Sequence, residues 1–475
     1  MNFLAISTEI GILVLALFVM AVDLILPKQE TRKSVACITI CGLIALLLYS
    51  FTQYHFDGSS YFYQNLYFVD NYAIFFKQLF MVAVLFTILF SQDYAQALLR
   101  YRGEFYSLLL FALLGMCVLA SATDFLTAFV GLELMTISFY ILVGARMSSA
   151  NSSEAAVKYL VVGSASTAVM LYGISLVYGS TGSILFEEIC RNPHLLYATS
   201  IAGITMILIG FFFKLSVIPF HMWAPDVYQG APTPVTALLA MGSKAAGLAV
   251  LMRVLYTAFP MMGAYWLPIL AVFSAVCMIG GNVMAIKQKD LKRMLAYSSI
   301  AQAGYMMVGI VAADMPGMKA VLFYAMLYVF ANVGAFAVLA VVDQQKGATD
   351  RQAVQGLAKS APILAAVMTI SLLSMAGIPP TAGFAGKIYL FTAVVERGYL
   401  WLAFVGFVMS MISVYYYLLV AKAMYLGEDR ENTRIHISGA VRASVLLSVL
   451  GTIAIGVCPE QLANITNIAA QTFMR

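Results

Sequence analysis

Long apolar segments follow one another along almost the whole chain, and they restrict its fold more than any other feature. A helix needs about 20 apolar residues to cross a bilayer, and runs of that length recur through the 475 residues. The runs are continuous and not alternating, which favours helices over membrane-barrel strands. Only 10% of the residues are charged, against about 25% in soluble proteins. The sequence therefore predicts an all-α polytopic membrane protein. About 14 transmembrane helices, by the length criterion, are expected near 3–26, 35–51, 71–90, 105–121, 125–143, 155–178, 198–220, 232–257, 264–286, 291–312, 317–342, 361–394, 399–425 and 440–458.

Lysine and arginine are concentrated in one set of alternate loops. Cytoplasmic loops of membrane proteins carry such an excess, so we expect this set to face the cytoplasm and both termini to lie on the outer side. The net charge of +5 is then a topology signal and does not indicate nucleic-acid binding. The basic set consists of Lys28, Arg32, Lys33, Arg100, Arg102, Arg146, Lys287, Lys289, Lys292, Arg293, Lys346, Arg351, Lys359, Arg430 and Arg434.

Two spans contain proline and glycine where a continuous helix is expected. They read FFFKLSVIPFHMWAPD at 211–226 and SMAGIPPTAGFAGK at 374–387. Proline removes a hydrogen bond of the helix, and irregular backbone at membrane depth survives only inside protein or beside a wet cavity. Two broken helices at corresponding places indicate a transporter architecture with internal repeats.

A weak internal repeat agrees with this interpretation. Residues 123–144 can be laid over 289–309, which pairs Asp124 with Asp290 and Tyr140 with Tyr305 to within one residue. The expected organisation has four parts. They are a three-helix leader at 1–104, five-helix repeats at 105–257 and 264–425, and a C-terminal loop and helix at 426–475.

Four ionisable residues lie deep in predicted spans: Glu133, Lys214, Lys244 and Lys387. A charge at the bilayer centre costs about 2.5–3.5 kcal/mol, so such residues are rare and mark ion or proton pathways. Burial disfavours a charged lysine and a nearby carboxylate favours it. We therefore interpret the set as a proton relay, in which Glu133 modulates Lys214. For Lys214 we expect carbonyls freed at the helix break to coordinate its ammonium or waters around it, and the alternative is a lysine that reaches the membrane surface. For Glu133 the alternative is a protonated group bonded to a neighbouring helix, and for Lys244 and Lys387 it is a structural lysine paired to a carbonyl.

Other polar residues give weaker signals. Lys158 at the start of a span and His221 just beyond the first break form a possible secondary proton path. Lys77 and Arg253 lie near span ends, and we expect both to extend to the membrane surface. The run Tyr415–Tyr417 is interpreted as packing and as part of an interfacial belt, and not as a site.

Cofactor-binding motifs were also sought. Of the six cysteines, only Cys37 and Cys41 share a helix face, and two sulfurs without further ligands make a poor metal site. The sequence contains no glycine-rich phosphate loop, no ferredoxin-type cysteine run and no haem-attachment motif. We therefore expect no cofactor and no metal on this chain.

Four segments resemble the antiporter-like membrane subunits of respiratory NADH:quinone oxidoreductase, complex I. They are FKLSVIPFHMWAPDVYQGAPTPVTALLAMGSKAAGLAVLMR at 213–253, AFVGLELMTISFYILVG at 128–144, DLKRMLAYSSIAQAGYMMVG at 290–309 and LSMAGIPPTAGFAGKIYLF at 373–391. Nearly the whole chain takes part. The motif DVYQGAP, and the absence of a long lateral helix in this sequence, make the chain most similar to the subunit N branch.

The resemblance implies an antiporter-like fold with two inverted five-helix repeats and breaks in helices 7 and 12. It maps the relay of the family onto Glu133, Lys214, Lys244 and Lys387. The second repeat has Ser298 or Ser299 where the first has Glu133, so the repeats are not equivalent.

The same resemblance implies a subunit of an oxidoreductase in the bacterial inner membrane. Its expected partners are the antiporter-like subunits M and L, the small subunits K and J, and the lipid bilayer. FMN, iron–sulfur clusters and quinone are expected on other subunits. A cation/proton antiporter subunit of the Mrp type is the alternative function, and a membrane scaffold without pumping is a third.

Overall fold

The computed structural model describes residues 5–25, 31–55, 60–62, 65–427 and 435–473. Helices make up nearly all of this part of the chain, with one short antiparallel hairpin of β1 (Ser60–Phe62) and β2 (Tyr67–Val69). The helices are α1 (Ser7–Ile25), α2 (Thr31–Thr52), α3 (Asn71–Leu98), α4 (Arg102–Ser121), α5 (Phe125–Val143), α6 (Ala150–Thr181), α7 (Phe186–Cys190), α8 (Ala198–Leu215), α9 (Trp223–Gly230), α10 (Thr233–Leu238), α11 (Lys244–Arg253), α12 (Gly263–Ile286), α13 (Leu291–Ala312), α14 (Met315–Lys346), α15 (Leu357–Ser360), α16 (Pro362–Ala376), α17 (Ala382–Glu396), α18 (Leu400–Leu426), α19 (Gly439–Val457) and α20 (Pro459–Phe473).

The number of membrane-crossing segments agrees with the sequence prediction. Within the described residues, 13 helical segments are long and apolar enough to span a bilayer. The pair α16 and α17 adds one interrupted span between α14 and α18. The predicted all-α, polytopic membrane fold is therefore confirmed.

The centre of the molecule is formed by three spans that other helices surround. The first is Thr233–Ala258, whose apolar stretch of 18 residues is completely buried inside the protein. It consists of α10 and α11, with π-helical segments at Leu239–Ser243 and Val254–Ala258. The other two are α13 and α14, whose apolar stretches are 94% and 89% buried. Polar groups on these three helices are therefore shielded from lipid by protein.

Both predicted breaks are present, and they begin with the same backbone motif. The helices α8 and α16 end at Ser216 and Gly377, whose φ angles of 59° and 86° lie in the left-handed region. In each case the backbone N–H of the next residue donates to the carbonyl five residues earlier. These bonds are Val217 N to Phe212 O at 2.8 Å and Ile378 N to Leu373 O at 3.1 Å. This is the Schellman pattern, which satisfies the last carbonyls of a helix. Each break therefore ends one half-helix cleanly inside the protein.

Two charges that we predicted at the membrane surface are buried. Lys77 is 2% exposed, and its Nζ lies 2.8 Å from Glu9 Oε1 on α1. Arg253 is 1% exposed, and its Nη2 lies 2.9 Å from Asp70 Oδ1. The prediction was wrong because each partner carboxylate lies on an element distant in sequence, and a paired charge tolerates burial.

Candidate functional site

Lys244 lies at the centre of the protein, on the span that is completely buried. Its side chain is 1% exposed, and Nζ donates a hydrogen bond to Ser299 Oγ on α13 at 2.8 Å. The Tyr228 ring lies on another side, 5.9 Å from Nζ. A π-helical segment ends at Ser243, immediately before this lysine. Lys244 is thus held by hydroxyl-bearing side chains, and its environment contains no lipid.

Lys214 lies at the end of α8, beside the first break. It is 3% exposed and donates to Thr136 Oγ1 at 2.7 Å and to Tyr159 OH at 3.5 Å. Among the described residues its ammonium has no direct carbonyl partner, and the carbonyl of Phe213 accepts from Ser216 N and from the Trp223 indole, each at 3.0 Å. Carbonyls that hold waters around the ammonium stay a prediction.

Glu133 lies one helical turn before Thr136 on α5, so it is a near neighbour of Lys214. It is half-buried, and its Oε1 is shielded from solvent without a hydrogen-bond partner among the described residues. Glu133 and Lys214 interact electrostatically, although no ion pair within 4.0 Å joins them in the part of the chain that the structure describes. The two groups therefore form a neighbouring pair with Thr136 between them.

Lys387 lies on α17, just after the second break, and it has the carbonyl partners that we expected for Lys214. Nζ donates to Met375 O at 3.0 Å, Ala376 O at 2.8 Å and Ser410 Oγ at 2.7 Å. The Tyr305 ring lies 4.6 Å from Nζ. Three acceptors and an aromatic face surround this amine, which is 4% exposed.

Polar side chains that sequence reasoning missed lie between Lys244 and Lys387. Next to Ser299, Ser298 shares a hydrogen bond of 2.5 Å with Tyr417 OH. The rings of Tyr417 and Tyr416 are in contact, with centroids 4.4 Å apart, and Tyr416 OH donates to Asn282 Oδ1 at 2.9 Å. Two of the three tyrosines interpreted as packing residues are therefore part of a buried polar network.

The network continues to Lys387 by two branches. Asn282 Nδ2 lies 3.4 Å from Tyr305 OH, and the Tyr305 ring contacts the lysine. In the other branch, Tyr324 OH donates to Gln302 Oε1 at 2.5 Å, and Gln302 Nε2 donates to Met375 O at 3.1 Å. Lys387 donates to the same carbonyl. In the sequence, the signal for this network was a hydroxyl or amide side chain every few residues along apolar helices.

Replacing Tyr416 by phenylalanine tests this network. The variant loses the hydroxyl that donates to Asn282, a net hydrogen bond of about 1 kcal/mol. If the step through Tyr416 limits transfer along this branch, the rate of proton transfer falls about fivefold. The measurement is the initial rate of proton pumping in membrane vesicles. The exposed neighbour Tyr415 provides the control, since Tyr415→Phe should leave the rate unchanged. Equal rates in both variants would contradict a role for Tyr416.

Lys158, one of the two secondary candidates, lies in a surface network away from the central amines. Its Nζ lies 2.7 Å from Glu154 Oε1 and 3.1 Å from Asp226 Oδ2, and Asp226 also pairs with Arg293 at 2.6 Å. A cavity of about 180 Å³ adjoins Lys158 and Asp226. Among the described residues, no hydrogen bond or ion pair joins Lys158 to Lys214, whose partners are Thr136 and Tyr159.

His221, the other secondary candidate, lies at the first break. It is half-buried, and its Nδ1 lies 3.3 Å from Pro219 O. It interacts electrostatically with Lys244. Within the described ranges, no three His, Cys, Asp or Glu side chains come together in a group that could hold a metal ion.

The arrangement is suited to proton transfer in chemical terms. Amines, hydroxyls and amides accept and donate hydrogen bonds in turn when an amine is neutral. Such groups lie between Lys244 and Lys387 in separate hydrogen-bonded segments. Among the described residues no hydrogen bond joins Ser299 to its neighbour Ser298, and Lys387 contacts the ring of Tyr305. The four central residues bring together one acid and three amines, and they include no nucleophile activated by a general base.

Comparison with known proteins agrees with this geometry. Residues 122–413 match the transmembrane family described as NADH:quinone oxidoreductase/Mrp antiporter. NADH-quinone oxidoreductase subunit N of Heliobacterium modesticaldum is 48% identical over 473 residues, covering 99% of this chain and 100% of the relative. Subunit N of Desulfitobacterium hafniense is also 48% identical, covering 99% of this chain and 98% of the relative.

Solved structures give the same result. A chain of respiratory complex I from Thermus thermophilus with bound aureothin has a TM-score of 0.81 and 33% identity, over 96% of this chain and 98% of that chain. A chain of the Mrp complex from Dietzia sp. DQ12-45-1b has a TM-score of 0.89 at 20% identity, over 100% of this chain and 98% of that chain, which shows a shared fold. The chain belongs to the NADH:quinone oxidoreductase/Mrp antiporter transmembrane family and, within it, to the subunit N group.

Proposed function

We propose that this chain moves protons across the membrane as a subunit of NADH-quinone oxidoreductase. The single observation that carries the proposal is the set of buried polar groups between Lys244 and Lys387 inside protein-shielded helices. The 48% identity to subunit N relatives supports a subunit of a redox-driven proton pump over a subunit of an Mrp-type antiporter. Quinone reduction itself takes place elsewhere in the complex.

The roles follow from position. Glu133 acts on Lys214 as a modulating charge, because a carboxylate favours the protonated form of a nearby amine. Lys244 is the central carrier, and Lys387 receives the proton at the far end of the network. Moving one charge through 100 mV requires about 2.3 kcal/mol, so a change in the Glu133–Lys214 interaction of a few kcal/mol is sufficient. Lys158 and His221 supply a secondary route from the surface.

We also propose that the chain is divided into a leader and two inverted repeats. In its support, the aligned residues Asp124 and Asp290 are both N-caps, of α5 and α13. At the position aligned with Glu133, Ser299 accepts the hydrogen bond of Lys244. The first repeat thus carries the modulating carboxylate, and the second carries a neutral hydroxyl in its place.

The setting is the inner membrane of a bacterium. The face that holds Arg146, Arg293 and Lys346, hereafter the basic face, is cytoplasmic by the positive-inside rule, and both termini are outside. The neighbours are the antiporter-like subunits M and L and the small subunits K and J. FMN, iron–sulfur clusters and quinone lie on other subunits, and this chain contributes no redox centre.

Glu133→Gln tests the modulating role. Glutamine has the same shape but no charge, so Lys214 loses the group that adjusts its proton affinity. We expect the rate of proton pumping to fall about 100-fold, at the low end of the range for a positioned proton-transfer group. The measurement uses the assembled complex in proteoliposomes with NADH and a quinone.

The control is Glu187→Gln, since Glu187 lies on the short helix α7 and pairs with exposed Arg191. Normal pumping by Glu133→Gln with full assembly would favour a scaffold. Purification of the chain without redox-active partner subunits would favour the free-standing antiporter.

A further inference from the structure

A buried carboxylate lies at the basic face, outside the relay. Asp343, near the end of α14, is 4% exposed. Its Oδ2 accepts hydrogen bonds from Thr233 Oγ1 at 2.6 Å and from Tyr94 OH at 3.0 Å. Its Oδ1 lies 3.3 Å from Arg146 Nη1. Groups from α3, from the turn after α5 and from the start of α10 therefore meet at one carboxylate.

This carboxylate connects the surface with the interior. The Arg146 side chain is 25% exposed, whereas Tyr94 and Thr233 are 1% and 0% exposed. Lys292, at the start of α13, is 5% exposed, donates to Ala231 O at 2.9 Å and interacts electrostatically with Asp343. Asp343 thus lies behind a partly hydrated arginine and beside a buried lysine.

Polar groups lead inward from Asp343 on the three central spans. One turn beyond Thr233, Thr236 Oγ1 donates to Tyr228 O at 3.0 Å, and the Tyr228 ring lies 5.9 Å from Lys244 Nζ. On α13, residues seven apart lie on one helix face, and Ser299 follows Lys292 by seven. Ser299 is the acceptor of Lys244. The three spans therefore present polar groups along one seam, from Asp343 to the central lysine.

We propose that Asp343 is the group through which protons from the basic face reach Lys244. The inference rests on the proposed pumping function and adds the place of uptake. A carboxylate can take a proton from a hydrated surface and release it inward. Without Asp343, Arg146 and Lys292 cannot pass a proton between them. The Lys158 network lacks a comparable connection, since its side chains end in exposed ion pairs.

The test is Asp343→Asn in the assembled complex, reconstituted with NADH and a quinone. Asparagine keeps the shape and one acceptor oxygen for Thr233 and Tyr94, but it cannot carry a proton. We expect the rate of proton pumping to fall about 100-fold, with a larger loss as the pH at the basic face rises and protons become scarce. Asp343→Glu should restore most of the pumping. A purely structural clamp would give no such pH dependence.

Asp290→Asn is the matched control on the same face. Asp290 caps α13 through Arg293 N at 2.8 Å, and asparagine caps equally well. Normal pumping by Asp343→Asn at every pH, while Lys244→Met is inactive, overturns the uptake role and leaves the relay intact. Normal pumping by both Asp343→Asn and Lys244→Met overturns the proposed function as well. If Asp343→Asn does not assemble, Lys292→Gln replaces it: an altered pH profile supports the proposal, and an unaltered one contradicts it.

Discussion

Replacing Lys244 by methionine is expected to lower proton pumping at least about 100-fold, since positioned proton-transfer groups contribute about 10²–10⁴-fold. Methionine is unbranched and apolar, so it fits a completely buried span. Its partner Ser299 Oγ also donates to Ala296 O at 2.7 Å and remains satisfied. The fold should therefore persist while the central carrier is lost.

The decisive measurement is the ratio of protons pumped to electrons transferred, together with the amount of assembled complex. Lys422→Met is the matched control, because Lys422 is an exposed lysine on α18. We expect the control to pump normally. Pumping by Lys244→Met within twofold of the unmodified complex, with normal assembly, would show that protons bypass this residue.

The location of the buried charges was predictable from the sequence, and the reason is energetic. A lysine or glutamate in the middle of an apolar run must be shielded by protein, so Glu133, Lys214, Lys244 and Lys387 stood out. The breaks were predictable too, because proline and glycine have local backbone effects. These signals need no knowledge of distant contacts.

The partners of those charges were not predictable. Thr136, Ser299 and Ser410 accept hydrogen bonds from the three lysines, yet a hydroxyl in an apolar helix also bonds its own backbone. Whether such a hydroxyl also accepts from a lysine depends on the neighbouring helix. The same limit explains the wrong prediction for Lys77, whose partner Glu9 is on another helix.

The tyrosine run of α18 shows where a general rule misled. Exposed tyrosines commonly form an interfacial belt, and Tyr415 is 57% exposed, although it lies near the middle of α18. Tyr416 and Tyr417 are each 1% exposed because α18 also packs against α12 and α13. One turn of helix thus contains a lipid-facing residue and two members of the network, a distinction that depends on helix rotation.

Lys387→Leu is expected to reduce both pumping and assembly, unlike Lys244→Met. Leucine removes the amine that donates to the carbonyls of Met375 and Ala376, although Gln302 Nε2 and Ser410 Oγ still donate to them. Each hydrogen bond lost costs about 0.5–1.5 kcal/mol net. We therefore expect a loss of pumping of at least about 100-fold, together with less assembled complex in membranes.

Lys387→Gln separates the two effects. Its amide can donate to the carbonyls at the end of α16, so assembly should recover, but it cannot carry a proton and pumping should stay low. Pumping is measured as protons per electron, and assembly by the yield of intact complex. Recovery of pumping with glutamine would mean that Lys387 only closes the broken helix, and proton transfer would then have to leave the network before this residue.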